Sequence, residues 1–80
     1  MRKLILYYQP ECHLCDEAEV LLHAAGLGGA YLKIDISGDP ELLMRYEIHV
    51  PVLQRADDQQ ELFWPFEKAE LDGFCGVLKK

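Results

Sequence analysis

Residues 3–17 read KLILYYQPECHLCDE, and this stretch decides the fold. Residues 3–9 are β-rich and apolar on both alternating faces, as a central strand covered on two sides requires. Pro10 keeps Gln9 out of the helical region and ends the strand. A helical period follows, with Leu14, Ala18, Leu21, Leu22 and Ala25 on one stripe and Asp16, Glu17, Glu19 and His23 off it. Gly26, Gly28 and Gly29 stop this helix, which therefore starts at or just after Cys12 and runs to about Ala25. The run Cys12-His13-Leu14-Cys15 sits where a strand hands over to a helix.

Downstream, residues 31–36 alternate, Leu32, Ile34 and Ile36 against Tyr31, Lys33 and Asp35, which predicts a second strand. Asp39 followed by Pro40 is an N-cap with proline in the first helical position, opening a short helix through Leu42, Leu43 and Tyr46. Ile48-His49-Val50 leads extended into Pro51. Residues 52–54 and 62–64 then flank the polar stretch 55–61, with Asp57 and Asp58 at its tip, and predict a hairpin. Pro65 opens a last helix in which Leu71, Phe74 and Leu78 repeat at helical spacing, weakened by Gly73 and Gly76. The order β-α-β-α-β-β-α defines an α/β fold. Its first two strands run parallel through a right-handed crossover. The hairpin supplies antiparallel partners. A four-stranded mixed sheet with helices on both faces results, as a single domain over residues 1–80.

Eighty residues leave little room for a separate regulatory or substrate domain, so a single domain is the expectation. Half are hydrophobic and 28% are charged, an ordinary globular balance. The net charge of −6 opposes phosphate backbones, so nucleic acid is excluded as the expected partner. Arg2 and Lys3 before an apolar run imitate a secretion signal, but Gln9-Pro10-Glu11 interrupts the run too early. No stretch has transmembrane length. The expectation is a monomeric cytoplasmic protein with no membrane partner. Three cysteines, Cys12, Cys15 and Cys75, are too few and too odd in number for a secreted disulfide scaffold. In a reducing compartment a close pair points to catalysis or metal binding.

The position of the pair carries the chemistry. Amides in the first turn of a helix are unpaired and favour an anion beside them, so a Cys12 thiolate is stabilised. The thiolate is the attacking species in disulfide exchange, and Cys15, one turn later, can displace a bound partner as the resolving thiol. His13, if cationic, adds to this stabilisation; if neutral, it is a polar residue at the mouth of the site. Glu11 acts the other way, since a carboxylate disfavours a second negative charge nearby. The bland alternative is an inert pair of thiols near a helix start.

Cys12-His13-Leu14-Cys15 after the first strand, Ile34-Asp35-Ile36 in the second and Val50-Pro51-Val52 opening the third resemble the thioredoxin superfamily, specifically a small glutaredoxin-like protein. The likeness covers nearly the whole chain. It implies a dithiol oxidoreductase in which Pro51 is cis and faces the cysteines. It also implies that the Val50 backbone is free to pair with an extended peptide or glutathione as an added strand. Two features depart from the pattern. His13-Leu14 stands where glutaredoxins typically carry Pro-Tyr, and Trp64-Pro65-Phe66-Glu67 replaces their Gly-Gly and aspartate before the last helix. Glu67 and Glu70 repel a glutathione carboxylate. The expectation is therefore no bound cofactor, glutathione as a disfavoured reductant, and a protein or small-molecule disulfide as substrate with an unidentified reductant.

Other residues carry plainer expectations. Trp64 and Phe66 close the core more readily than they form a shelf at the site. Tyr7 and Tyr8 face opposite sides of their strand, with core filling the expected role. Cys75 is read as a small buried hydrophobe, His49 as solvated, and Asp57 and Asp58 as turn residues. Two rival functions stay open. One is a redox-inactive thioredoxin-fold interaction module. The other is metal binding by Cys12, Cys15, Cys75 and His13 or His49, which the lack of a second close ligand pair opposes.

Overall fold

The computed structural model describes residues 4–75. Strand β1 (Leu4–Tyr8) runs parallel to β2 (Tyr31–Asp35), from Leu4 beside Tyr31 to Tyr8 beside Asp35. On its other side β1 pairs antiparallel with β3 (Val52–Arg55), Tyr7 lying opposite Val52, and β3 pairs with β4 (Glu61–Phe63). The sheet order is β2-β1-β3-β4, so β1 is central, as its two apolar faces require. Leu4 and Leu6 enter a cluster with Ala18, Leu22, Leu53, Phe66 and Leu71. On the opposite face, Tyr7 packs with Ile36, Tyr46 and Val52. Helices α1 (His13–Ala24) and α3 (Lys68–Cys75) contribute to the first cluster, and α2 (Pro40–Tyr46) to the second. The mixed sheet with helices on both faces is thus the observed architecture.

Helix α1 ends as its glycine predicts. Gly26 adopts φ 78°, a left-handed value that costs glycine little, and the Leu27 amide donates to Leu22 O at 2.9 Å. Leu22 and Leu27 then meet in the core. Helix α2 is capped by Asp39, whose carboxylate accepts from Glu41 N at 3.0 Å and Leu42 N at 3.2 Å, with Pro40 at the start. Asp57 and Asp58 do serve the hairpin turn, and both also hold Arg55 at 3.2 Å.

Four local expectations are corrected. Leu14 is exposed, because the buried stripe of α1 is Cys15, Ala18 and Leu22, rotated from the one the periodicity suggested. Leu32 is exposed and Tyr31 is buried, so the inward face of β2 near its start is the aromatic one. Strand β2 stops at Asp35, whose side chain accepts from Ser37 N at 2.8 Å and turns residues 36–38 into a short 3-10 helix. The last helix begins at Lys68, not at Pro65. Glu67 O accepts the Leu71 amide at 2.9 Å and Glu70 Oε1 accepts the Glu67 amide at 3.0 Å, one half of a capping box. Leu78 and the Cys75 side chain lie outside the described residues. Among the described residues, no helix is long and apolar enough to cross a membrane.

Candidate functional site

The site begins with a backbone reversal. Pro10 closes β1, and Glu11 takes φ 59°, a left-handed conformation that costs a non-glycine residue roughly 1–2 kcal/mol. Cys12 returns to extended backbone (φ −100°, ψ 106°) and caps α1. Its carbonyl accepts the Asp16 amide at 3.2 Å, and its sulfur accepts the Cys15 amide at 3.1 Å. A first-turn N–H of the helix therefore points at the Cys12 sulfur, as the anion argument requires. The two sulfurs are bonded to each other, with Cα atoms 5.2 Å apart.

Their exposures differ. Cys12 is partly exposed, whereas Cys15 is 1% exposed and lies on the buried stripe of α1. A partner entering from solvent meets the first sulfur and not the second. His13 is almost fully exposed, its Nε2 3.5 Å from the Glu17 carboxylate one turn along. Helix α1 is tied to β2 at mid-length. Tyr31 Oη donates to Glu19 Oε1 at 2.7 Å, and Lys33 Nζ lies 2.9 Å from Glu19 Oε2. Burial opposes ionisation of Glu19, but the hydrogen bonds from Lys33 and Tyr31 outweigh it and hold the carboxyl below its usual range.

The Val50–Pro51 peptide bond is cis, and Pro51 is buried at the start of β3. Since Val52 lies opposite Tyr7, continuing the register sets Pro51 beside Tyr8, at the sheet end from which the chain leads to Cys12. The expectation of a free Val50 backbone is corrected for the amide alone. Its N–H donates to Tyr46 O at 3.0 Å, as His49 N does at 2.8 Å, because the last turn of α2 leaves that carbonyl without a helical partner. His49 is not simply solvated: its ring stacks on Phe63 of β4, centroids 4.9 Å apart and planes 8° apart. That contact joins residues from separate elements, and no local pattern announces it. Among the described residues, no three His, Cys, Asp or Glu side chains stand close enough to share a metal ion.

Comparison with known proteins fits this geometry. The family described as "Glutaredoxin-like domain (DUF836)" matches residues 3–74. The X-ray structure of target protein XcR50 from X. campestris aligns with a TM-score of 0.83 at 36% identity, over 92% of this chain and 96% of that one. A solution structure of the same protein gives 0.83 at 36% identity, over 94% of each chain. The solution NMR structure of protein Ne2328 from Nitrosomonas europaea aligns with a TM-score of 0.77 at 28% identity, over 91% of this chain and 89% of that one. No curated protein matches the chain.

Proposed function

Because the chain belongs to the glutaredoxin-like domain family (DUF836), we propose that it is a thiol–disulfide oxidoreductase working through Cys12 and Cys15. The observation that carries the reading is the asymmetry of the pair. A partly exposed Cys12 sulfur accepts a helix-terminal amide, and a buried Cys15 lies bonded beneath it. With the pair reduced, the amide favours the thiolate at Cys12. That thiolate attacks one sulfur of a substrate disulfide, forming a mixed disulfide and expelling the other half as a thiolate. The Cys15 thiolate then attacks the Cys12 sulfur, restoring the internal disulfide and releasing the second half. Two electrons pass to the substrate, and an external dithiol or pair of thiols returns them to the protein.

His13, Val50 and Pro51 are the proposed contacts for the incoming disulfide, His13 by its exposure, Pro51 by its place at the same sheet end and Val50 by its carbonyl, since Tyr46 O already holds its N–H. Substrates are protein or small-molecule disulfides, and the protein acts as a monomer in the cytoplasm. Glutathione is disfavoured as the dedicated reductant. Glu70 already occupies the Glu67 amide at the start of α3 and adds negative charge where a ligand carboxylate would need cations. The test uses a Cys15→Ser variant and a chromogenic aromatic disulfide. The expected result is a covalent adduct on Cys12 by mass spectrometry, with sustained reduction by the wild type and no adduct on Cys12→Ser. Absence of both the adduct and catalysed reduction would remove the reading and leave an interaction module.

A further inference from the structure

Outside the cysteine pair, an open groove of about 430 Å³ lies between the outer face of α1 and the segment 64–68. Val20, Leu21, Trp64 and Phe66 give it an apolar floor, and Glu17 and Glu67 stand on its rim. Val20 is 70% exposed, a large share for an aliphatic side chain on a helix that buries its opposite face. Trp64 and Phe66 meet edge to face, centroids 5.0 Å apart. The rim cation, Lys68, is paired with Asp72 at 3.2 Å, so the two glutamates set the sign of the field.

We infer that this groove docks an extended segment of a disulfide-bearing protein partner, a segment carrying one aliphatic side chain followed by basic residues. The inference rests on the oxidoreductase reading and names the substrate class for it. Continuity with the site supports it. Helix α1 forms one wall of the groove and is capped by Cys12, and His13 at the site mouth reaches Glu17 on the rim at 3.5 Å. The groove residues of α1 lie between Glu17 and Ala24, about 8–18 Å along the helix axis from Cys12 at 1.5 Å per residue. An extended peptide advances about 3.3 Å per residue, so its third to fifth residue from the reacting cysteine reaches the groove. The apolar floor takes the aliphatic side chain, and Glu17 and Glu67 take the basic ones. Small disulfides make none of these contacts.

Trp64 is the single tryptophan of the chain, so its emission reports occupancy directly. The probe is a synthetic hexapeptide blocked at both ends: serine, two glycines, leucine, arginine and lysine. Serine stands where the partner's cysteine would be, so binding is read without exchange. A saturable shift in Trp64 emission is expected. A matched peptide with two glutamates in place of the basic pair should bind at least tenfold more weakly. Val20→Ser, a change on an exposed helix face that leaves the fold intact, should weaken the basic peptide tenfold or more. Glu67→Lys should narrow the preference for the basic over the acidic peptide. No saturable shift, equal response to both peptides, or indifference to Val20→Ser would overturn the docking site. A shift that follows protein concentration without peptide would overturn it too and assign the groove to a second copy. The sulfur-free probe keeps this result separate from the adduct experiment: failure of the peptide to bind removes the docking site and leaves the oxidoreductase reading standing, whereas failure of the adduct removes that reading and with it the disulfide-bearing partner.

Discussion

Under α1 and α3 the sheet is covered by aliphatic residues, Leu4, Leu6, Ala18, Leu22, Leu53 and Leu71. Under α2 it is covered by two stacked phenols, Tyr7 and Tyr46, with centroids 4.6 Å apart. Tyr7 Oη donates to Gln54 Oε1 at 2.9 Å, Tyr46 Oη donates to Glu61, and Gln54 Nε2 donates to the same carboxylate at 3.4 Å. The buried polar handle of the first face, Tyr31, sends its hydroxyl outward to Glu19. The helix bearing the cysteines is therefore seated mainly by aliphatic packing, with the Tyr31 and Lys33 contacts to Glu19 at its edge, while the far face sets its hydrogen bonds on the stacked phenols of its core. One consequence is chemical. Cys15 sits on the stripe of α1 that enters the aliphatic face, and the phenols and carboxylate of the network lie across the sheet from it.

The largest effect expected from this contrast comes from the aliphatic face. Leu22 is fully buried, packs against β1 and is also the acceptor that ends α1. Leu22→Ala removes buried surface and leaves a cavity, costing about 2–5 kcal/mol. In a domain of this size Tm should fall by roughly 10 °C or more, read by circular dichroism with the pair oxidised and again reduced. A loss below about 1 kcal/mol would mean that packing does not dominate this face.

Much of this was legible in the chain because the signals are local. Cys12 and Cys15 are set by a strand that Pro10 ends and a helix that starts next. Asp39-Pro40 announces α2, and the polar stretch 55–61 between apolar runs announces the hairpin. What was not legible depends on which side of an element meets its neighbours. Leu14 and Leu32 fit an apolar period yet face solvent, because apolar residues are common at surfaces and periodicity cannot say which are spared. The start of α3 at Lys68 was hidden because Glu67 is not a capping residue type, so its amide's bond to Glu70 carries no start signal in the sequence. The Tyr46–Glu61 and His49–Phe63 contacts, and the groove joining Val20 to Trp64, link residues from separate elements and leave no trace in either segment alone.

On the face of the stacked phenols the expected effect is smaller. Tyr46→Phe keeps the ring and its stacking on Tyr7 but removes the donor to Glu61, which is exposed and regains water. The cost should be about 1–2 kcal/mol, read as a lower urea midpoint at unchanged m. A loss matching that of Leu22→Ala would erase the distinction between the faces.

The smallest effect is confined to alkaline solution and gives the finest test. Burial pushes the Tyr46 phenol up to about 12, its hydrogen bond to Glu61 adds to the rise, and Arg45 opposes it. Tyr7 and Tyr31 are also raised, each chiefly by burial. A phenol whose folded value lies above the ordinary 10 holds its proton more tightly in the native state. Its contribution to stability is therefore whole below pH 10 and is lost as the pH climbs through 12. Wild-type stability should decline from about pH 10 upward. Tyr46→Phe, lacking one of three contributors, should decline less steeply over the same window while starting lower. Urea midpoints measured between neutral pH and the alkaline limit separate the two lines. Parallel lines would show that the Tyr46 hydroxyl is no better protected in the folded protein than in the unfolded chain, and that the hydrogen-bonded face is directional in geometry but not in energy.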